Sequence, residues 1–289
     1  MNLLVRINLV LALAFALAAL AVGWACSAML QENAKQETLR EAGLMMDSAL
    51  SMRAYTSAEI VPLLNAQMQK EFLPQSVPSY AATQNFLHLH EKHPEYAYKE
   101  ATLNPTNLQD RAMDWESDLI QQFRNDEHHS EIVGERDTPT GKSLYLARPI
   151  RAEAQCLVCH SVPAAAPATL IERYGSNNGF GWQVHEVIGA QVVSVPLATA
   201  TTNASRIFRS VMSSIAAILV VTLLIVNTVL YLLIVRPVRR MAAIADEVSL
   251  GNMAAGEFPV RGSSELTNLG RAFNRMRTSL AKALKMLDG

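Results

Sequence analysis

Two uninterrupted apolar stretches constrain this chain more than any other feature. Ile7 to Leu30 carries no charged side chain over 24 residues, and Ser210 to Val235 carries none over 26. At the helical rise, 24 residues extend about 36 Å, enough to cross a hydrocarbon layer of about 30 Å with some tilt. Such a chain is neither a plain soluble enzyme nor a disordered polypeptide. Its formal net charge of −1 also excludes nucleic-acid binding driven by bulk charge.

That near-zero charge hides a division. Gln31 to Ser205 holds 21 acidic and 13 basic residues, whereas Arg236 to Gly289 holds 9 basic and 5 acidic. Arg6 precedes the first stretch, and Arg236, Arg239 and Arg240 follow the second directly. Lys and Arg near span ends mark the cytoplasmic side. Both termini are therefore expected in the cytoplasm and the middle of the chain outside it, with Arg206 and Arg209 the only charges arguing otherwise. The expected location is a bacterial inner (cytoplasmic) membrane with a periplasmic domain. The predicted segments are a transmembrane anchor at 1–30, an exported domain at 31–209, a second transmembrane helix at 210–235 and a cytoplasmic module at 236–289. Ala25-Cys26-Ser27 also permits a cleaved signal or lipoprotein reading, but the apolar stretch exceeds a signal core and Trp24 fits a lipoprotein box poorly. Each alternative still exports the middle domain.

Within that domain, Ala42, Met45, Ala49 and Met52 recur at helical spacing, which predicts a helix over Gln31 to Ser57 with no proline before Pro62. Pro74, Pro78, Pro94 and Pro105 then break the chain into short pieces. Ser143 to Ile150 and Ala190 to Leu197 read as strands. Ser130 to Arg136 reads as a weaker one, leading into the turn Thr138-Pro139-Thr140-Gly141. Helices followed by a small antiparallel sheet make the expected fold class α+β.

The sharpest chemical signal is Cys156-Leu157-Val158-Cys159-His160. Two thiols at this spacing can add across the vinyl groups of haem while the adjacent imidazole reaches the iron. Zinc would need a second ligand cluster, and no second Cys-x-x-Cys exists. A thioredoxin-like pair needs no histidine at the next position, and a structural disulfide here would close a loop too short to gain much entropy. Cys156, Cys159 and His160 are thus the predicted holders of covalent haem c, with His160 the proximal iron ligand. Several candidates remain open for the sixth iron position: His88, His90, His93, His128, His129, His185, Tyr55 and several methionines, with an open site or a weakly bound water equally compatible. His128-His129, after Asn125-Asp126-Glu127, reads as a solvated face, and His88 and His90 read as partly buried neutral histidines. Arg53, Lys99 and Arg148 could meet haem propionates or a small anion, or be surface cations. Gly179-Phe180-Gly181-Trp182 reads either as an aromatic wall or as a turn with a core anchor.

Beyond the second span, Val238, Met241, Ala245 and Val248 follow heptad spacing after Arg236-Pro237. A connector with Gly251, Gly256, Pro259 and Gly262 leads to a second heptad series: Leu266, Leu269, Phe273, Met276, Leu280, Leu284 and Leu287. Short amphipathic helices of this kind cannot cover their seams alone. Pairing in a homodimer would cover them, and lying on lipid is the other reading. The proline, the glycine-rich connector, Glu265 and Phe273-Asn274-Arg275-Met276 together resemble the HAMP linker of bacterial membrane receptors.

The middle domain carries a resemblance of its own. Tyr98 to Asn107, Tyr145-Leu146-Ala147-Arg148-Pro149, Cys156 to His160, and Tyr174-Gly175 with Gly181-Trp182 occur in the order of one family. Over roughly residues 40 to 200 it resembles the Tll0287-like exported haem-binding domains. That resemblance implies a PAS-like fold, covalent haem and a sensory role ahead of a HAMP linker. Some relatives use a distal Cys on the early helix. The matching stretch here, Arg53 to Leu64, has none, and Tyr55 is the candidate distal ligand in that region.

The expected function is a membrane-bound haem-based signal-transduction receptor, not an enzyme. It would sense redox state or a small diatomic gas outside the cytoplasm and relay it through the HAMP-like helices. A membrane-anchored c-type cytochrome for electron transfer is the alternative, though that role needs only one anchor and no cytoplasmic heptads. Expected partners are a second copy of the chain, a small gas or redox partner, and the membrane, with no nucleic acid. Output is expected on a separate cytoplasmic protein or on a longer form of this chain.

Overall fold

A computed structural model of the protein describes residues 3–126, 128–139, 141–252, 255–258 and 265–287. The chain divides into two compact units, Cys26–Phe208, and Met1–Ala25 with Arg209–Gly289. Helix α1 spans Leu3–Tyr55 and helix α7 spans Leu197–Leu230. The helical segments Leu4–Met68 and Leu197–Ser249 are each long and apolar enough to cross a membrane.

The Cys26–Phe208 unit is built on a four-stranded antiparallel sheet. Its strands are β1 (Ala97–Thr102), β2 (Ile132–Thr138), β3 (Gly141–Arg151) and β4 (Val187–Pro196), in the order β1-β4-β3-β2. Period-two geometry sends alternate side chains to opposite faces. Leu144 and Leu146 of β3 and Val193 and Val195 of β4 therefore face one side, where Ala42 and Met46 of α1 cover them. Ala147, Ala190 and Val192 face the other, under Leu119, Ile120 and Phe123 of α4 (Asp114–Asn125). Covered on both faces, β4 is an almost continuous apolar run, whereas the edge strand β2 alternates between more and less exposed positions.

The three expected strands form. The fourth, β1, lies in the stretch where prolines suggested only short pieces. Its central Lys99 and Glu100 disguise it, and each finds a counter-charge on the helix covering its face. Lys99 Nζ donates to Glu116 of α4 at 2.7 Å, and Glu100 accepts from Arg53 of α1. In the β2–β3 turn, the Thr138 hydroxyl donates to the Gly141 carbonyl at 2.6 Å, while Thr140 lies outside the described residues.

The early helix does not stop near Ser57. It passes through a π turn at Thr56–Ile60 into α2 (Val61–Met68), which carries Pro62 in its first turn. A proline removes one N–H and crowds the carbonyl four residues earlier, and a widened turn relieves both. The same device recurs after α7, where the π turn Tyr231–Val235 precedes α8 (Arg236–Ser249) with its Pro237. Helix α3 (Pro78–Lys92) buries Ala82 and Phe86 against Ala49 of α1. That stripe leaves His88 and His90 exposed, so they are not the partly buried histidines the local sequence suggested.

In the other unit, α8 buries Met241 and Val248, and α9 spans Glu265–Leu287. The connector is pinned by Asn274. Its side chain accepts from the Phe258 N–H at 3.1 Å and donates to the Phe258 carbonyl at 2.9 Å. A Cβ on Gly270 would collide with the Phe258 ring, so glycine permits that contact. Pro259, Gly262 and the side chains of Leu284 and Leu287 lie outside the described residues.

Candidate functional site

Beyond β3 the chain makes a single 3-10 turn, Ala154–Cys156, that runs into the four-residue helix α5 (Leu157–His160). Three residues apart on a helical turn, Cys156 and Cys159 share a face. Both are free, half-buried thiols. Burial pushes the Cys159 thiol above its ordinary pKa, and a charge on Cys156 adds to the rise.

His160 ends this helix and is held by three residues, two at its Nδ1 edge and one on a ring face. Its Nδ1 lies 2.7 Å from the Gly179 carbonyl and 3.4 Å from the Thr106 hydroxyl. Its ring lies on the indole of Trp182, with centroids 3.9 Å apart and planes 13° from parallel. The backbone N–H groups of Gly181 and Trp182 donate to the carbonyls of Ser161 and His160 at 2.8 and 3.2 Å. A carbonyl can only accept, so Nδ1 carries the hydrogen and donates to Gly179. The neutral ring then offers an unprotonated Nε2, the form in which histidine ligates metals. Burial lowers the imidazole pKa, partly offset by the bond to Gly179, and so favours this neutral state.

The loop that supplies the carbonyl depends on glycine. Gly179 and Gly181 have φ of 81° and 84°, and a Cβ on Gly179 would strike both the Thr106 side chain and its backbone nitrogen. The chain bends at these glycines, and the Trp182 indole packs on the imidazole. Thr106 and the Gly179 carbonyl were not foreseen as site groups. Thr106 stands inside a conspicuous motif, but nothing in a sequence marks which carbonyl a ring nitrogen will meet.

A buried polar network adjoins the Cys156–His160 turn. Glu100 retains only 4% exposure and accepts from the Arg53 guanidinium and, at 2.8 Å, from the Tyr98 hydroxyl. Gln191 Nε2 donates to the Tyr98 oxygen at 3.0 Å. Burial opposes the Arg53 charge, but Glu100 outweighs it, with smaller help from Tyr98 and Cys156, and the guanidinium pKa is raised. Burial, reinforced by Glu100, pushes the Tyr98 hydroxyl well above its usual range. Asp110 is raised to about 6 by burial and by Glu100, against the pull of Lys99.

The three cations considered for propionates already have carboxylate partners. Arg53 pairs with Glu100, Lys99 with Glu116, and Arg148 with Asp47 at 3.0 Å and Glu131 at 3.4 Å. The surface histidines are likewise engaged locally: His88 with Glu91, His93 with Glu95 and His129 with Asp126, while His90 Nδ1 meets the Tyr96 carbonyl. The backbone N–H of His128 bonds the Asp126 carboxylate at 3.0 Å, as a loop residue would, and Glu127 lies outside the described residues. Tyr55, the candidate distal ligand, ends α1 with 54% of its surface exposed, next to the buried Thr56.

The Tll0287-like family model matches residues 31–196, and the HAMP domain model matches residues 229–282. A solved structure titled as the cyanobacterial heme-protein Tll0287 is 18% identical, with a TM-score of 0.44 over 55% of this chain and 95% of its own. A search of curated proteins finds no match. With more than half its length in the family match, the chain belongs to the Tll0287-like family, its domain followed by a HAMP domain.

Proposed function

We propose that this protein is a membrane-bound haem-based signal-transduction receptor whose exported domain reports redox state or a small diatomic gas through its HAMP domain. Cys156 and Cys159 would hold haem c by thioether bonds, and His160 Nε2 would ligate its iron from the proximal side. When bound, haem supplies an iron centre that can change charge by one electron or take a small ligand. The chain's own part is to fix the imidazole. The Gly179 carbonyl sets the tautomer, the Trp182 indole sets the ring plane, and the Thr106 hydroxyl lies beside the same Nδ1, which leaves Nε2 for the iron. That hold by three residues on one histidine beside two free thiols carries the proposal.

The order of parts supports signalling over simple electron transfer or catalysis. The attachment turn leaves β3, β3 pairs with β4, and β4 ends at Pro196, where α7 begins. We read the sheet, with a helix on each face, as PAS-like. We place it in the periplasm on the charge asymmetry around the two apolar stretches, with both termini cytoplasmic. In α9, Leu269, Met276 and Leu280 are 56%, 60% and 43% exposed, an apolar seam suited to the same helices of a second copy.

The test is a pyridine haemochrome on the full chain, expressed with c-type haem maturation and purified in detergent. Haem that resists acid-acetone extraction in the wild type, and is extracted from Cys156→Ala/Cys159→Ala, is expected. A wild-type chain without covalent haem under these conditions overturns the reading. Spectra of the reduced protein with carbon monoxide then separate gas sensing, which needs a labile sixth position, from redox sensing.

A further inference from the structure

The two apolar helices of the Met1–Ala25 and Arg209–Gly289 unit touch along one stripe each. Half-buried positions recur at steps of three or four residues from Asn8 to Gly23 on α1 and from Met212 to Asn227 on α7. At one end of the stripe stand the two asparagines. Asn8 Nδ2 donates to Asn227 Oδ1 at 2.7 Å, and Asn227 Nδ2 donates to Asn8 Oδ1 at 2.7 Å. The second amide hydrogen of each goes to its own helix, to the carbonyls of Leu4 and Leu223, at 2.9 Å. Every N–H of both amides is used.

At the other end, a Cβ on Gly23 would stand 3.4 Å from Met212 Sδ. Fifteen residues separate Asn8 from Gly23, and fifteen separate Met212 from Asn227. The helices are therefore antiparallel and in register over about 22 Å. An unpaired amide in hydrocarbon is costly, and a single buried asparagine is a known means of fixing helix register. Sliding one helix by a turn, about 5.4 Å, would bring Leu223 or Tyr231 opposite Asn8, and the mutual bonds would be lost.

We propose that the Asn8–Asn227 amide pair is a register lock that makes the two membrane helices move as one element. The first span is then part of the transmitting device and not a tether. The π turn Tyr231–Val235 begins four residues beyond Asn227 and leads into α8. This lock does not depend on what the exported domain binds.

Cysteine cross-linking of the full chain in phospholipid vesicles tests it, in a Cys26→Ala/Cys156→Ala/Cys159→Ala background that leaves only the introduced thiols. Ala19→Cys with Ile215→Cys reports the native register. Ala19→Cys with Met212→Cys or with Leu219→Cys reports slippage to either side. With both asparagines present, the native pair should cross-link at least tenfold faster than the flanking pairs. Asn8→Leu and Asn227→Leu should each bring a flanking pair to within about threefold of the native one, and the double variant should do no more than either single. Unchanged discrimination in both single variants overturns the lock. Effects that add in the double variant overturn it as well, because two residues acting only through one shared bond pair cannot add.

Discussion

The imidazole of His160 lies 3.9 Å from the indole of Trp182 with their planes 13° apart. Stacking fixes a ring plane, which a hydrogen bond at one nitrogen does not. Trp182→Ala is expected to cost about 1 kcal/mol beyond its lost buried area, and Trp182→Phe much less. Urea unfolding of the haem-free fragment 31–205 measures this. Equal losses for both variants would mean the ring plane matters little.

Gly179 faces two demands at once, a φ of 81° and the nearness of Thr106. Gly179→Ala should destabilise the same fragment by about 1–3 kcal/mol from backbone strain alone. Pairing it with Thr106→Gly should recover part of that loss by removing the side-chain collision. No recovery would assign the cost wholly to the backbone.

The Arg53–Glu100 pair is buried, with Glu100 only 4% exposed. Arg53→Met would strand that carboxylate, at a cost of about 3–5 kcal/mol. Adding Glu100→Gln should lessen the damage, since the amide stays uncharged and its oxygen still accepts from Tyr98. Thermal unfolding of the single and double variants decides the matter. A double variant less stable than Arg53→Met alone would refute the account.

Asp110 has its pKa raised to about 6 from an ordinary value of 3.8. The folded state therefore holds this proton more tightly than the unfolded one. Below about pH 4 both states are protonated and Asp110 carries no penalty. Stability then falls as pH rises towards about 6, and the penalty is constant above that. Asp110→Asn should raise the urea midpoint at pH 8 and leave it nearly unchanged at pH 3.5. A stabilisation of equal size at both pH values would show that ionisation is not the cause.

Much of the architecture is legible in the residues taken in order. The absence of charge over Ile7–Leu30 and Ser210–Val235 marks long apolar helices, because a continuous apolar run of this length can satisfy its backbone in lipid by helical bonds within itself. The alternation in Ser143–Ile150 marks a strand with two different faces, and Cys156, Cys159 and His160 stand so close together that any helical turn gathers them. These are local properties, set by the side chains of a few consecutive residues.

Strand β1 was hidden because Lys99 and Glu100 look solvent-loving until Glu116 and Arg53 arrive from helices on opposite faces of the sheet. The continuation past Pro62 depends on a widened turn whose cost only surrounding packing can offset. The hold on His160 joins Thr106, Gly179 and Trp182 across as many as 76 positions, from 106 to 182. Asn8 and Asn227 meet across 219. Sequence alone determined the two long apolar helices, three of the four strands and the Cys156–His160 turn, since those follow from neighbours along the chain. Tertiary structure decided which polar groups find partners, because a charge or an amide far from water is stable only beside a group the fold brings from elsewhere.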